Sequence, residues 1–365
     1  MSDLLLAYGL DDRVSALFNT LEAPPGHELI LGRVVRVERT NCLVATSGAV
    51  LLARAAQTLG IQTATGDWVA MVHEPGNDLA IVEVLPRRSE LVRRAPEDRG
   101  GGAQVLAANI DILALTAPFD RPTSINRLER LLVLAWESGA RPLVVLTKAD
   151  LLGPDASSVD HEVAEAERAA IGVDVLATSA ETGLGVAALR TLAAGGTLAF
   201  IGPSGSGKST LVNALIGSHV QKTGAVRGAD SRGKHTTTSR DLIPLPGGGV
   251  LLDTPGLRSL GLLDPEAGLA STFADIGELA QMCQFSNCAH TSEPGCAVLE
   301  SIRAGDLTAR RLENYRKIQR ELLHERRRQS GLDAVAARRE FRAQHERLLR
   351  AAGPARLDER RQGWR

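Results

Sequence analysis

The sequence predicts a multidomain protein with three folded parts. These are an N-terminal β-barrel of the OB-fold kind, a central α/β domain, and a C-terminal helical zinc-binding domain that ends in a basic helical tail. Three observations carry this reading. Short β-rich runs fill residues 28–100, apolar strands alternate with amphipathic helices over 101–268, and three cysteines and a histidine crowd together within 269–325. At 365 residues and 44% hydrophobic content the chain can bury two or three separate cores.

Residues 1–27 read as a helical arm with scattered apolar positions from Leu4 to Leu21, closed by Ala23-Pro24-Pro25-Gly26. The barrel follows. Its expected strands are Arg33 to Thr46, Ala49 to Ala56, Asp67 to His73 and Leu79 to Val84, separated by turn signals such as Ser47-Gly48, Thr65-Gly66 and Glu74-Pro75-Gly76. Strands this short at this spacing suit a small closed barrel. A linker from Ala95 to Gly102 ends the unit. From Ile110 the pattern becomes strand, helix, strand: Ile110 to Thr116, helix Ile125 to Ser138, Pro142 to Thr147, helix Val159 to Ile171, Val173 to Thr178, helix Val186 to Leu192, Leu198 to Ile201. Alternation of this kind implies a parallel sheet covered on both faces. Residues 326–365 continue as an Arg-rich, Ala-rich helical tail.

The central domain carries a phosphate-binding signature. Gly202-Pro203-Ser204-Gly205-Ser206-Gly207-Lys208-Ser209 fits G-x-x-x-x-G-K-[ST], with an apolar strand leading in and a helix beginning at Ser209-Thr210. Glycines let the backbone turn its N–H groups onto phosphate oxygens, Lys208 reaches the β and γ phosphates, and the Ser209 hydroxyl ligates Mg2+. Guanine is favoured over adenine by Thr147-Lys148-Ala149-Asp150, which ends a strand as N-K-x-D motifs do. The Asp150 carboxylate can accept from both N1–H and the 2-amino group of guanine, a donor pair that adenine lacks. Ser179-Ala180 resembles the S-A loop whose backbone meets the guanine carbonyl. Asp253-Thr254-Pro255-Gly256 resembles D-x-x-G, with Asp253 toward Mg2+ and Gly256 toward the γ-phosphate. In the polar stretch around His235-Thr236-Thr237-Thr238, Thr237 is the candidate to complete the Mg2+ shell, with Thr236 and Thr238 as alternatives.

The order of these elements is unusual. Guanine-selecting motifs precede the phosphate loop, so the sheet is circularly permuted, which a domain with neighbouring termini tolerates. C-terminal to them, Cys283-x4-Cys288-x-His290-x5-Cys296 offers three thiolates and an imidazole, a closed set that suits one structural tetrahedral zinc ion. Cys42, far away in a strand-like run, reads as a core side chain.

Barrel, permuted motif order and cysteine cluster together resemble one family closely over about residues 30–325: the ribosome-small-subunit-dependent GTPases known as RsgA or YjeQ. The resemblance implies hydrolysis of GTP to GDP and phosphate, cytoplasmic location, and late assembly of the 30S subunit. The subunit and its rRNA would be the partners, bound through barrel and zinc domain, and subunit-stimulated hydrolysis would drive release. Two departures stand out. Thr147 replaces the usual Asn, removing an amide that bridges base and phosphate loop, and Leu257 stands where Ras-like GTPases orient water with Gln. The resemblance assigns that water to His235. Two alternatives stay open: a permuted GTPase serving another RNA or the large subunit, and a nucleotide-gated RNA-binding switch with negligible hydrolysis.

Charge and composition bear on the RNA reading. The net charge is −1, but the 42 Lys and Arg and 43 Asp and Glu are unevenly placed: Arg310–Arg365 carries +9 and the rest −10. Arg87-Arg88 and Arg93-Arg94 leave the barrel, and Arg326-Arg327-Arg328 and Arg338-Arg339 lie in the tail. Aromatics are 3%, with Trp68 alone in the expected barrel strands, so RNA contact should rest on charge and shape more than on base stacking. No apolar run approaches the roughly 18 residues of a membrane span and the first ten residues do not read as a secretory signal. A monomer is expected.

Overall fold

A computed structural model of the full chain describes residues 4–38, 40–55, 62–74, 76, 78–94, 103–121, 124–152, 156–217, 241–253, 266–324 and 327. It divides into two units, Met1–Tyr315 and Arg316–Arg365; of the second, residues 316–324 and 327 are described, all helical.

The arm is two helices instead of one. α1 (Leu4–Ala7) and α2 (Asp12–Asn19) are broken at Gly9, whose φ of +82° suits glycine, and α2 restarts where the Asp11 carboxylate accepts from the Val14 N–H at 2.8 Å.

β1 (Ile30–Val37), β2 (Asn41–Ala45), β3 (Val50–Ala55), β4 (Trp68–His73) and β5 (Leu79–Val84) close into a barrel of order β1-β2-β3-β5-β4, with β3 parallel to β5 and β4 returning to β1. This is OB-fold connectivity. The run expected as one strand from Arg33 to Thr46 folds back into β1 and β2. Apolar side chains at alternate positions, among them Val34, Val44, Val69, Met71 and Ile81, fill the interior, and Cys42 lies among them at 1% exposure. Burial pushes its thiol up to about 11, as for an inert core residue. Gly32 is where the wall is tightest: a Cβ there would collide with Val44 and the end of Met71.

A bulge between Val34 and Arg36 has a consequence for the outer wall. Residues three apart in a regular strand face opposite sides; with the extra residue, Arg33 and Arg36 both leave the barrel toward the α/β domain. Arg36 grips Asp241 with two hydrogen bonds, Nη2 to Oδ2 at 2.6 Å and Nε to Oδ1. Arg33 is 2% exposed and stacks on Trp68 with its guanidinium carbon 5.0 Å from the ring centroid. It donates to the Tyr8 carbonyl, to Thr197 Oγ1 at 2.7 Å and to the Asn109 carbonyl at 3.3 Å. Burial pulls its pKa down to about 10.

β6 (Glu90–Arg94) and β7 (Ala103–Ala108) form an antiparallel ribbon on either side of the expected linker, Ala95 to Gly102, which lies outside the described residues. The six-stranded sheet then runs β10 (Val175–Ala177), β9 (Arg141–Thr147), β8 (Ile112–Pro118), β11 (Thr197–Ile201), β13 (Val250–Asp253), β12 (Asp241–Pro244). All neighbours are parallel except β12 with β13. Ile112, Ala114, Leu143, Val145, Leu198 and Phe200 face α5 (Val186–Ala193) and α6 (Lys208–Ile216), while α3 (Ile125–Glu137) covers the other face of β8 and β9. Near-continuous burial along β8, β9 and β11 is what a parallel sheet clothed on both faces demands.

α4 (Ala156–Ala169) connects β9 to β10; the C-terminal part is helical, with α7 (Glu266–Thr272), α8 (Ala274–Gln281), α9 (Ala297–Ala304) and a further helix that begins at 309. A buried charge cluster fastens it to α3. Glu129, fully buried on α3, accepts from Arg310 at 2.9 and 3.0 Å, Arg311 at 2.9 Å and Asn314 at 2.5 Å, and Arg311 also pairs with Asp275 at 2.7 Å. Arg310 and Arg311, counted from sequence with the basic tail, are spent in this joint.

Candidate functional site

Parallel strands deliver their carboxyl ends to one edge of the sheet, where loops from β8, β9, β10, β11 and β13 converge. The expected nucleotide residues gather there despite lying between positions 147 and 253. Gly202 opens the loop after β11, and Gly205 and Gly207 have φ of +79° and +81°. α6 starts at Lys208 with no described side chain capping it, so its first N–H groups and the helix dipole point into the loop. Ser204 and Ser209 are exposed, Pro203 and Thr210 half-buried, and Ser206 fully buried. Lys208 Nζ folds over the loop, donating to the carbonyls of Gly202 at 2.9 Å and Pro203 at 2.7 Å and to Ser206 Oγ at 3.3 Å.

The loops expected to select guanine meet beside it. Asp150 is exposed at the start of a 3-10 turn (Ala149–Leu152), and its Oδ1 accepts from Ser179 Oγ at 2.5 Å. The Ala149 N–H donates to the Thr178 carbonyl at 3.0 Å, and the Thr182 N–H donates to Ser179 Oγ at 3.2 Å. Ser179 thus aims the carboxylate, and Ala180 follows at the mouth. Lys148 takes a left-handed φ of +64° and pairs with Asp120 at 2.6 Å.

Thr147 corrects one expectation. It is 2% exposed, and its hydroxyl donates to the Ser206 carbonyl at 2.7 Å, so the bridge between this motif and the phosphate loop is kept by a hydroxyl in place of an amide. Sequence reasoning also missed Thr116, at the end of β8, whose Oγ1 lies 2.7 Å from Ser206 Oγ. Its only sequence signal is a hydroxyl in an otherwise apolar strand.

Asp253 ends β13 directly across from Asp241 of β12. Like charges facing one another across a ladder repel, and Arg36 neutralises one of them. Gly256, His235, Thr236, Thr237, Thr238 and Leu257 lie outside the described residues.

The second site is built on the turn before α9. Sγ of Cys283, Cys288 and Cys296 and a ring nitrogen of His290 all lie within 4.8 Å of one another. Cys283 Sγ is 3.6 Å from His290 Nδ1 and 3.9 Å from Cys296 Sγ, which is 3.5 Å from His290 Nδ1. A tetrahedral ion with ~2.3 Å bonds to sulfur separates its ligands by about 3.8 Å. These residues therefore fit a single metal ion. Cys283 is held below the usual thiol range: desolvation opposes this, and N–H donors of Val298 and Ala297 at the start of α9 outweigh it. Glu293 ties the turn, accepting from Ala289, Thr291 and Ser292 N–H groups at 3.0, 2.7 and 2.9 Å; its own backbone N–H first, and then these bonds, hold its carboxyl down to about 2.

Among the described residues near the barrel, Arg87, Arg88 and Arg93 have partners within the chain. Arg87 pairs with buried Asp67 at 2.8 Å, Arg88 with Asp11 at 2.6 Å and Asp111 at 3.0 Å, and Arg93 donates to Gln104 at 3.1 Å. Trp68 is buried under Arg33 and cannot stack on a base.

A phosphate loop flanked on the sheet edge by guanine-selecting loops that precede it in sequence defines a circularly permuted GTPase. The RsgA GTPase family profile matches residues 84–263. Over 368 aligned residues, 99% of this chain and 97% of its relative, the chain is 47% identical to a protein of Streptomyces coelicolor named small ribosomal subunit biogenesis GTPase RsgA. It is 40% identical over 80% of its length to a protein of the same name from Methanosarcina acetivorans. Among solved structures, YjeQ from Thermotoga maritima superposes with a TM-score of 0.62 at 28% identity, covering 81% of this chain and 99% of that one. YloQ, described as a circularly permuted GTPase, gives 0.60 at 25% identity, covering 83% and 98%. The chain belongs to the RsgA GTPase family, and its reaction is GTP hydrolysis.

Proposed function

We propose that this protein acts in late maturation of the small ribosomal subunit, binding it through the barrel within 28–100 and the metal-binding part within 269–325. Subunit docking stimulates GTP hydrolysis in the domain spanning 101–268, and the GDP form leaves. The observation that carries this reading is similarity along almost the whole length to a relative named for small-subunit biogenesis.

In this reading the α6 N-terminus, the loop 202–209 and Thr210 hold the phosphates, with Lys208 at the charge that develops on the transferred group. Ser209, Thr237 and Asp253 would hold Mg2+, which would offset the charge of the phosphates. Asp150 selects guanine, with Lys148 and the Ser179-Ala180 loop forming the base pocket and Gly256 contacting the γ-phosphate. His235 positions the water. Cys283, Cys288, His290 and Cys296 hold one structural zinc ion, supported by a donor set soft enough and closed enough for it. The tail from 326 supplies positive charge for rRNA, since the arginines near the barrel are occupied internally. The working protein is a cytoplasmic monomer.

The test is GTP turnover by the protein alone, with purified small subunits and with large subunits. Marked acceleration by small subunits only is expected; equal or absent acceleration overturns the assignment. His235→Ala should lose the accelerated rate and keep GTP affinity, and an unchanged rate removes His235 from the mechanism.

A further inference from the structure

We propose that Thr116 is a positioning residue for GTP hydrolysis, acting through Ser206 on the ammonium group of Lys208. β8 is buried along its whole length, and Thr116 at 1% exposure is its one side chain with a hydroxyl. A hydroxyl placed there without partners would be destabilising. It has two. Oγ1 donates to the Ile201 carbonyl, the last of β11, at 3.0 Å, and lies 2.7 Å from Ser206 Oγ.

The count of protons fixes the direction of the second bond. A threonine hydroxyl has one hydrogen, and the Ile201 carbonyl takes it, so Ser206 must donate to Thr116. Lone pairs of Ser206 Oγ are then left for the Lys208 ammonium, which has hydrogens only to give and sits 3.3 Å away. Lys208, Ser206, Thr116 and Ile201 form a chain of three hydrogen bonds running one way, from the cation to the end of the phosphate-loop strand. Thr147 grips the same residue from β9 through the Ser206 carbonyl. Ser206 is thus pinned from the strands that flank the nucleotide edge, side chain by one and backbone by the other. Gly202 adds to the fit, since a Cβ on it would collide with Thr116 Oγ1 and the Thr116 carbonyl.

This proposal rests on reading 202–209 as the phosphate-binding loop. A lysine displaced by even a fraction of an ångström meets the developing charge poorly while still attracting bound nucleotide, so the effect belongs in the chemical step. The experiment is single-turnover hydrolysis of prebound GTP, alongside GDP affinity, for Thr116→Val, Thr116→Ser, Ser206→Ala, the Thr116→Val/Ser206→Ala pair and Lys208→Ala. Thr116→Val should hydrolyse about tenfold more slowly per bound nucleotide with GDP affinity within about threefold, the scale of one hydrogen bond. Thr116→Ser, which keeps the hydroxyl, should recover to within about twofold, and the pair should be no slower than Ser206→Ala alone. Wild-type hydrolysis by Thr116→Val, equal slowing in Thr116→Ser, or losses that multiply in the pair would each overturn the proposal. Lys208→Ala separates the two readings: if it hydrolyses normally the loop assignment fails, and if it alone is slow only the role of Thr116 fails.

Discussion

Thr147 offers the sharpest test of how this site holds its nucleotide. Its hydroxyl, 2% exposed, donates to the Ser206 carbonyl at 2.7 Å, and no water can replace a donor at that depth. Thr147→Val keeps the shape and removes the proton, leaving a buried carbonyl short of a partner at about 1–3 kcal/mol. If all of that fell on the nucleotide-bound loop, affinity would drop roughly 5- to 150-fold, at about 1.4 kcal/mol per tenfold. The loop makes the same bond before nucleotide arrives, so part of the loss must appear as lower stability of the free protein. The expectation is a tenfold weaker GDP affinity accompanied by a lower melting temperature. Thr147→Asn should move the other way. An amide NH2 has two hydrogens, one to donate to the Ser206 carbonyl and one to donate to an acceptor on the guanine edge, and one added neutral hydrogen bond of ~0.5–1.5 kcal/mol tightens binding by about 2- to 12-fold. Titration with a fluorescent guanine nucleotide reads both variants. Wild-type affinity in Thr147→Val, or weaker binding in Thr147→Asn, would refute the bridging role.

Three other outcomes follow from the described contacts, and a fourth from the charge of the tail. Glu129→Gln removes the charge that compensates Arg310 and Arg311, and stability by denaturant titration should fall by roughly 3–5 kcal/mol, as when a buried ion pair loses one partner. Glu293 is ionised down to about pH 2, below the carboxyl range of an unfolded chain. The order it gives the metal turn is therefore complete at neutral pH and fades only as pH falls through that value; Glu293→Gln should speed zinc release to a chelator several-fold at pH 7. Arg88→Ala should cost stability and leave subunit affinity within about twofold, because its charge is spent on Asp11 and Asp111. Neutralising Arg326, Arg327 and Arg328 together should weaken binding and flatten its salt dependence.

The sequence exposed what depends on local chemistry. The phosphate loop, the Asp150 turn and the cysteine cluster each needs particular residues at fixed spacing, and the structure brings each together. Strand positions in the α/β domain were legible to within about two residues because buried parallel strands are apolar throughout. What escaped was pairing at a distance. Nothing in the periodicity near Arg33 announces a bulge, so the shared direction of Arg33 and Arg36 was invisible, and arginines 87, 88, 310 and 311 looked like surface charge because acidic partners such as Asp67, Asp11 and Glu129 lie 20 to 182 residues away. Likewise, the closure of β3 against β5 and the hydroxyl of Thr116 beneath the loop arise only when separate strands are set side by side.

β11 is five residues long, about 17 Å at 3.3 Å per residue. Its first residue, Thr197, is held by Arg33 of the barrel wall, and past its last, Ile201, the chain turns at once into the phosphate loop. Such a strand acts as a push rod, with no slack between the part that meets a partner and the part that meets the nucleotide. If the barrel docks as proposed, a load that tilts it would reach the phosphate loop through these five residues, and by reciprocity the loss of a phosphate would reach the barrel by the same path.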